Sequence, residues 1–214
     1  MKKLLLILVL FCSIGYGQNW PKTDTIRFHK LYYWGIYNKV LHYPVLISWW
    51  DTKASIKCAD RLPRKDQFHN DSIVKEANNL RDYLNSGFSK GHNKSAQDSE
   101  CEGKDGEREC FSMVNMAMQY QAMNEGSYYH LEQITRNIAG VVDSVHVWSG
   151  SLGVLKIIGN TAAPLRQWKV LYIVAQKTYR GFIFNNTIDD STNGKNGTEV
   201  PVKTIEVLTG FTFK

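Results

Sequence analysis

Between Lys90 and Glu132 the chain carries Lys90-Gly91-His92 and then Asn115-x3-Gln119-x4-Asn124-x7-Glu132. Taken singly, none of these residues means much. A Gly-His pair is common, an Asn at a helix start is usually a cap, and a Glu two turns later is usually a solvated surface residue. Taken together they constrain the fold, because a Gly/Ser/Lys-rich segment (Ser86 to Gly91) and a helix entry must come to one place. An imidazole, carboxamides and a carboxylate in that order supply a base for water, a neutral oxygen ligand for a hard divalent ion, and an acid to orient the ion's waters. That is the chemistry of one-metal phosphodiester hydrolysis.

The N-terminus reads Met1-Lys2-Lys3, an apolar run from Leu4 to Ile14, then Gly15 and Gly17 around Tyr16, the three-part layout of a secretory signal peptide. Cleavage is expected after Gly17, giving a leader over 1–17 and a single domain over 18–214. The run is too short for a bilayer crossing, which needs roughly 20 apolar residues, so no stable membrane association is expected after cleavage. The expected location is secreted or periplasmic. From Gln18 onward 197 of the 214 residues remain, enough for one substantial core. Losing Lys2 and Lys3 lowers the formal charge from +6 to +4, which suits a polyanionic partner without requiring one.

Cys58, Cys101 and Cys110 remain after the leader. Cys101 and Cys110 bracket the polar segment Glu102 to Glu109, read as a loop that a short disulfide would close, leaving Cys58 free. Three free thiols are the alternative. The spacing matches no usual Cys/His zinc site.

Val40 to Trp50, Ser144 to Ser149, Trp168 to Ala175 and Tyr179 to Phe184 are rich in β-branched and aromatic residues and read as strands, with Pro44 at the start or edge of the first. Asn124 to Ile138 has apolar positions at Tyr128, Leu131, Ile134 and Ile138, and Gly140 as a plausible cap, which predicts a helix. Asp71 to Leu84 also has helical spacing. Pro201 to Leu208 is ambiguous, and Asp189 to Gly197 is a surface loop. Strands and helices without a regular strand-helix-strand rhythm predict an α+β domain, with a mixed or antiparallel central sheet and flanking helices, and argue against a doubly wound sheet.

The whole set resembles the ββα-metal (His-Me finger) DNA/RNA non-specific endonucleases, whose signature is Asp-Arg-Gly-His followed by Asn-x3-Gln-x4-Asn and a Glu two turns into the helix. Here Ser89-Lys90-Gly91-His92 stands for the first part. Asp82-Tyr83, Ser86-Gly87-Phe88, Asp98, Ser149-Gly150, Trp168-Lys169, Phe184-Asn185 and Ile205-Glu206-x2-Thr209-Gly210-Phe211 extend the match from about Val40 to the C-terminus.

The resemblance implies a nuclease acting on DNA and RNA, mainly through phosphate contacts, and leaving 5′-phosphates. It implies His92 as general base and Asn124 as the direct ligand of Mg²⁺, with Mn²⁺ as a substitute. Glu132 would act on the metal through water, Asn115 would fix the catalytic geometry, and Gln119 would be structural, with Ser89 and Gly91 shaping the loop. An upstream arginine would meet the phosphate, Arg64 being the candidate and Arg61 the alternate. The resemblance further implies that Asp71 to Leu84 is extended. Two departures stand out: Ser89 replaces Asp, and Lys90 replaces Arg, keeping charge but losing the planar fork. The alternative is a polyanion-binding protein on the same fold whose catalysis these two changes have weakened or abolished.

Overall fold

The computed structural model describes residues 24–77 and 79–214, so the expected leader over 1–17 lies outside the described residues. Strands β1 (Thr25–His29), β2 (Tyr33–Asn38) and β3 (Tyr43–Thr52) form a meander, followed by the single turn α1 (Lys53–Ile56). A long excursion then carries β4 (Ser89–His92), α2 (Gly103–Cys110), β5 (Met116–Gln119), α3 (Gln121–Glu125) and α4 (Ser127–Val142). The chain returns through β6 (Ser144–Leu152), the small hairpin β7 (Lys156–Ile158) and β8 (Thr161–Ala163), then β9 (Arg166–Ile173), β10 (Thr178–Asn185), β11 (Thr198–Val200) and α5 (Val202–Thr209).

Seven strands make one sheet in the order β1-β2-β3-β6-β9-β10-β11, and every ladder within it is antiparallel. The four segments predicted as strands became β3, β6, β9 and β10. Pro44 sits opposite Tyr37, beside an irregularity in the β2–β3 register, where a missing N–H is tolerated.

Side chains alternate between the two faces. On one face Tyr33, Ile47, Trp49, Val147 and Leu171 pack against Met116 and Met118 of β5 and Tyr128 and Leu131 of α4. On the other, Leu46, Trp148, Trp168 and Val170 meet Ile205 of α5 and Phe213. Full burial of each large apolar side chain contributes about 1.5–3 kcal/mol, so the first face fixes the excursion on the sheet.

Several local expectations are corrected. Asp71 to Leu84 is neither the helix of the local spacing nor the extended segment the resemblance implied, but an irregular segment with short 3₁₀ turns at Lys75–Ala77 and Leu80–Tyr83. Asp71 closes a local turn at the start of this segment: its Oδ1 accepts from the N–H groups of Ile73 (2.8 Å) and Val74 (2.7 Å), while Oδ2 pairs with Lys30 Nζ at 2.6 Å. Gly140 lies inside α4, and the helix ends at Asp143, φ 81°. The ambiguous segment near Pro201 is helix α5.

The disulfide joins Cys58 to Cys101, and Cys110 is the free, buried thiol. Glu102 to Glu109, read as a loop, is mostly α2. A helix rises about 1.5 Å per residue, so α2 holds Cys101 and Cys110 too far apart for the 4.4–6.8 Å Cα separation a bridge requires. The Cα atoms of Cys58 and Cys101 are 5.7 Å apart.

Candidate functional site

β4 and β5 form a two-stranded ribbon with Ser89 opposite Gln119 and His92 opposite Met116. Alternation sends Lys90 and His92 to one side and Ser89 and Gly91 to the other. Gly91 is required there: a Cβ would run into the Gln119 side chain, which is itself fully buried with neither amide atom hydrogen-bonded. Gln119 is thus a packing element beneath the ribbon. Ser89 lies outside the cleft and donates its hydroxyl to Gln121 Oε1.

Asn115 acts on the turn after His92. Its Oδ1 accepts from Lys94 N–H (2.9 Å), its Nδ2 donates to the carbonyls of Lys94 and Cys110 (2.9 Å each), and its own carbonyl accepts from Asn93 N–H (3.0 Å). The backbone on both sides of the ribbon's open end is therefore locked by one carboxamide.

The helix expected over Asn124 to Ile138 is two helices. Gly126 breaks it with φ −96°, ψ −114°, in a space that a Cβ would fill against Ala122 O and Asp190. Asn124 consequently sits in the last turn of α3 rather than at an N-cap, its N–H bonded to Tyr120 O at 3.0 Å. The start of α4 is capped from afar: Asp190 accepts from Ser127 N–H and from its hydroxyl, both at 2.8 Å. Asn186 ties α3 to the sheet, accepting from Tyr120 N–H (2.8 Å) and donating to Met118 O and Pro164 O (2.9 Å each).

These elements enclose an open cleft of about 440 Å³, lined among others by Arg64, Lys90, His92, Asn124, Glu125 and Glu132. Five of the residues singled out in the sequence therefore meet in one place. Arg61 does not line it: its guanidinium pairs with Glu100 (2.9 Å) and donates to Ile56 O (2.7 Å), which leaves Arg64 as the arginine of the cleft.

His92 is held by rings. Phe68 and Phe111 lie 5.6 and 5.0 Å from it, centroid to centroid, Phe111 edge-on. Its Nε2 is buried with no hydrogen-bond partner. Burial, reinforced by the positive charge of Arg64, lowers its pKa to about 3, so the imidazole is neutral at physiological pH. The same two rings receive cations: Lys90 Nζ lies 4.7 Å over Phe68 and the Arg64 guanidinium 5.7 Å over Phe111.

Glu132 is buried rather than solvated. Its Oε1 accepts from Lys169 Nζ at 3.1 Å, and Lys169 lies 3.9 Å over the Tyr128 ring. Burial raises the Glu132 pKa against the attraction of Lys169 and Arg136. Sequence reasoning did not single out Arg136, whose Nη1 donates to Asp98 (2.9 Å) and to Ser95 on the cleft wall (3.3 Å) and whose Nη2 is buried without a partner. Its i+4 spacing from Glu132 was the available signal. Phe68 and Phe111 gave none, since apolar residues in a loop and at a helix end look alike wherever they pack.

A sequence model of the DNA/RNA non-specific endonuclease family matches residues 15–214. No curated protein matches the chain significantly. Among solved structures, a chain of the EndoG/EndoGI complex, crystallised to study EndoG inhibition, superimposes with a TM-score of 0.78 over 87% of this chain and 84% of that one. Its sequence identity is 21%, so this likeness carries the fold alone. By the family match over nearly its whole length, the chain belongs to the DNA/RNA non-specific endonuclease family.

Proposed function

We propose that the chain is a secreted or periplasmic, Mg²⁺-dependent nuclease that hydrolyses DNA and RNA with little sequence preference and leaves 5′-phosphates. The observation that carries this is the single cleft in which a neutral, ring-held His92 shares walls with Asn124, Glu132 and the cations Arg64 and Lys90. His92 takes the proton of a water attacking phosphorus, and the phosphodiester bond to the 3′ oxygen breaks, leaving phosphate on the 5′ side. Arg64 and Lys90 oppose the charge that grows on the phosphate oxygens. Asn115 acts through the backbone it locks, and Gly91 and Gln119 keep the ribbon's spacing.

The donors present fit a hard cation. Asn124, Glu125 and Glu132 line the cleft, and the carboxamide and carboxylate oxygens of such residues suit Mg²⁺, with Mn²⁺ in its place. Asn124 would hold the ion directly and Glu132 through water. Bound there, the ion supplies positive charge against the phosphate and the leaving 3′ oxygen. Phosphate and sugar contacts carry no sequence code, which accounts for low sequence preference.

Export is supported by the leader pattern and by a disulfide, which persists in oxidising compartments. Among the described residues no helix is long and apolar enough to cross a membrane. A polyanion binder without catalysis has no use for a base held neutral beside an oxygen ligand. Plasmid DNA and RNA incubated with purified protein and Mg²⁺ should be degraded, and EDTA should stop it. Degradation unchanged by EDTA would sink the metal-dependent mechanism, and intact nucleic acid with Mg²⁺ would sink the nuclease reading.

A further inference from the structure

The sheet face opposite the cleft carries an aromatic strip that the reaction does not use. Trp50 of β3 stacks on His146 of β6, ring centroids 4.2 Å apart and planes within 12°, and His146 in turn packs on Trp148 at 3.8 Å. Trp148 lies 6.4 Å from Tyr179 of β10, which stacks on Tyr172 of β9 at 4.5 Å. Helix α5 covers the other end of this face, against Trp168 and Val170, and leaves this end open: Trp50 is 47% and Tyr179 38% exposed. His146 is locked between the rings with Nε2 2.8 Å from Ser48 Oγ.

The strands contribute no carboxylate to this face. The strands of the sheet contain two carboxylates, Asp51 and Glu199. Asp51 alternates with Trp50, and Glu199 is in register with Phe182, so both belong to the opposite face, the one that carries α4 and the cleft. The strip's own face carries Arg27, whose guanidinium lies 5.0 Å over the ring of Trp34, the residue in register with Ser48. The carboxylate of Glu206 on α5 is engaged by Lys203 at 3.1 Å. Flat π faces on a sheet face whose strands carry a cation, Arg27 two strands from Trp50, and no carboxylate match a polyanion whose rings are free to stack.

We propose that this strip is a second nucleic-acid site, on which unpaired bases of a single-stranded segment stack against Trp50 and Tyr179 while Arg27 meets the phosphates. It rests on the nuclease reading and adds to it a preference for long substrates with single-stranded stretches. Duplex ends present too few free base faces to use the strip. A long strand, anchored on one face of the sheet, is kept near the cleft on the other.

The test uses the full chain carrying His92→Ala, in EDTA, with labelled oligothymidylate and a dinucleotide as probes. Long oligothymidylate should quench tryptophan fluorescence, and Trp50→Ala or Tyr179→Ala should each weaken its binding about tenfold, the order of one lost base stack. Both positions are half-exposed, so the folded state should survive, and an unchanged thermal midpoint checks that. In the otherwise wild-type enzyme the same substitutions should raise KM for long single strands and leave dinucleotide turnover unchanged. Oligothymidylate binding unaffected by either variant would overturn the proposal, as would equal losses on the dinucleotide, or quenching by a glucan oligosaccharide in place of oligothymidylate. If the chain with Mg²⁺ leaves DNA and RNA intact but oligothymidylate binding still depends on Trp50, the nuclease reading fails and the strip stands.

Discussion

An imidazole enclosed by Phe68 and Phe111, with Nε2 buried and unpaired, resists protonation because its cation would exchange water for ring edges beside the charge of Arg64. The sign follows. The folded-state pKa, about 3, lies below the ordinary 6.5, so the stability linked to neutral His92 is fully present above pH 6.5 and is lost as pH falls from there through about 3. The acid limb of kcat/KM should therefore lie below pH 6.5, and an inflection assigned to His92 by NMR at or above 6.5 would refute it. His92→Ala should lower kcat by about 10²–10⁴-fold with the fold and EDTA-state nucleic-acid affinity retained; a variant within tenfold of wild type removes His92 from the mechanism. Lys90 offers a point charge against Phe68 at the cleft wall. Lys90→Arg should raise kcat by adding a planar fork, and Lys90→Ala should lower it. Equal turnover in all three would show that Lys90 does not face the phosphate. His92, Asn124 and Glu132 were legible because their chemistry and spacing survive in one dimension. The rings around His92 were not, because packing partners leave no mark in local sequence.

At the scale of elements, the position of Asn124 relative to Glu132 depends on the break at Gly126 and on a cap supplied by Asp190, 63 residues beyond Ser127. Apolar periodicity announces α4 but says nothing of a cap that arrives from another loop, so the predicted helix began too early. Asp190→Ala should lower stability by about 1 kcal/mol and raise the Mg²⁺ concentration for half-maximal activity, since α4 carries Glu132. Unchanged Mg²⁺ dependence at reduced stability would make the cap purely structural. The irregular stretch from Asp71 to Leu84 shows the reverse case. Its periodicity is helical, yet the segment forms only short 3₁₀ turns, with Asp71 at its start tied to Lys30 and to the N–H groups of Ile73 and Val74.

For the whole molecule, the Cys58–Cys101 bridge ties the segment after the first meander to the excursion that carries the site, across a sequence separation of 43. Closing a loop of that length contributes about 4 kcal/mol in the chain-entropy description. Cys101→Ser should cost stability of that order in chemical denaturation, whereas Cys110→Ser should leave the bridge intact. Mapping of the unreduced protein should find the free thiol at Cys110, whose pKa burial pushes up to about 12, and not at Cys58. The residue types in order along the chain determined the α+β class, the strands β3, β6, β9 and β10, and five of the residues that meet in the cleft, because side-chain period and motif spacing are local properties. Only the tertiary structure decided the disulfide partner, the split between α3 and α4, the choice of Arg64 over Arg61, and the aromatic strip behind the sheet. Each of these depends on which distant segments a shared core brings together, and a packed interior, unlike a period, is a property of pairs of segments that no single stretch of sequence contains.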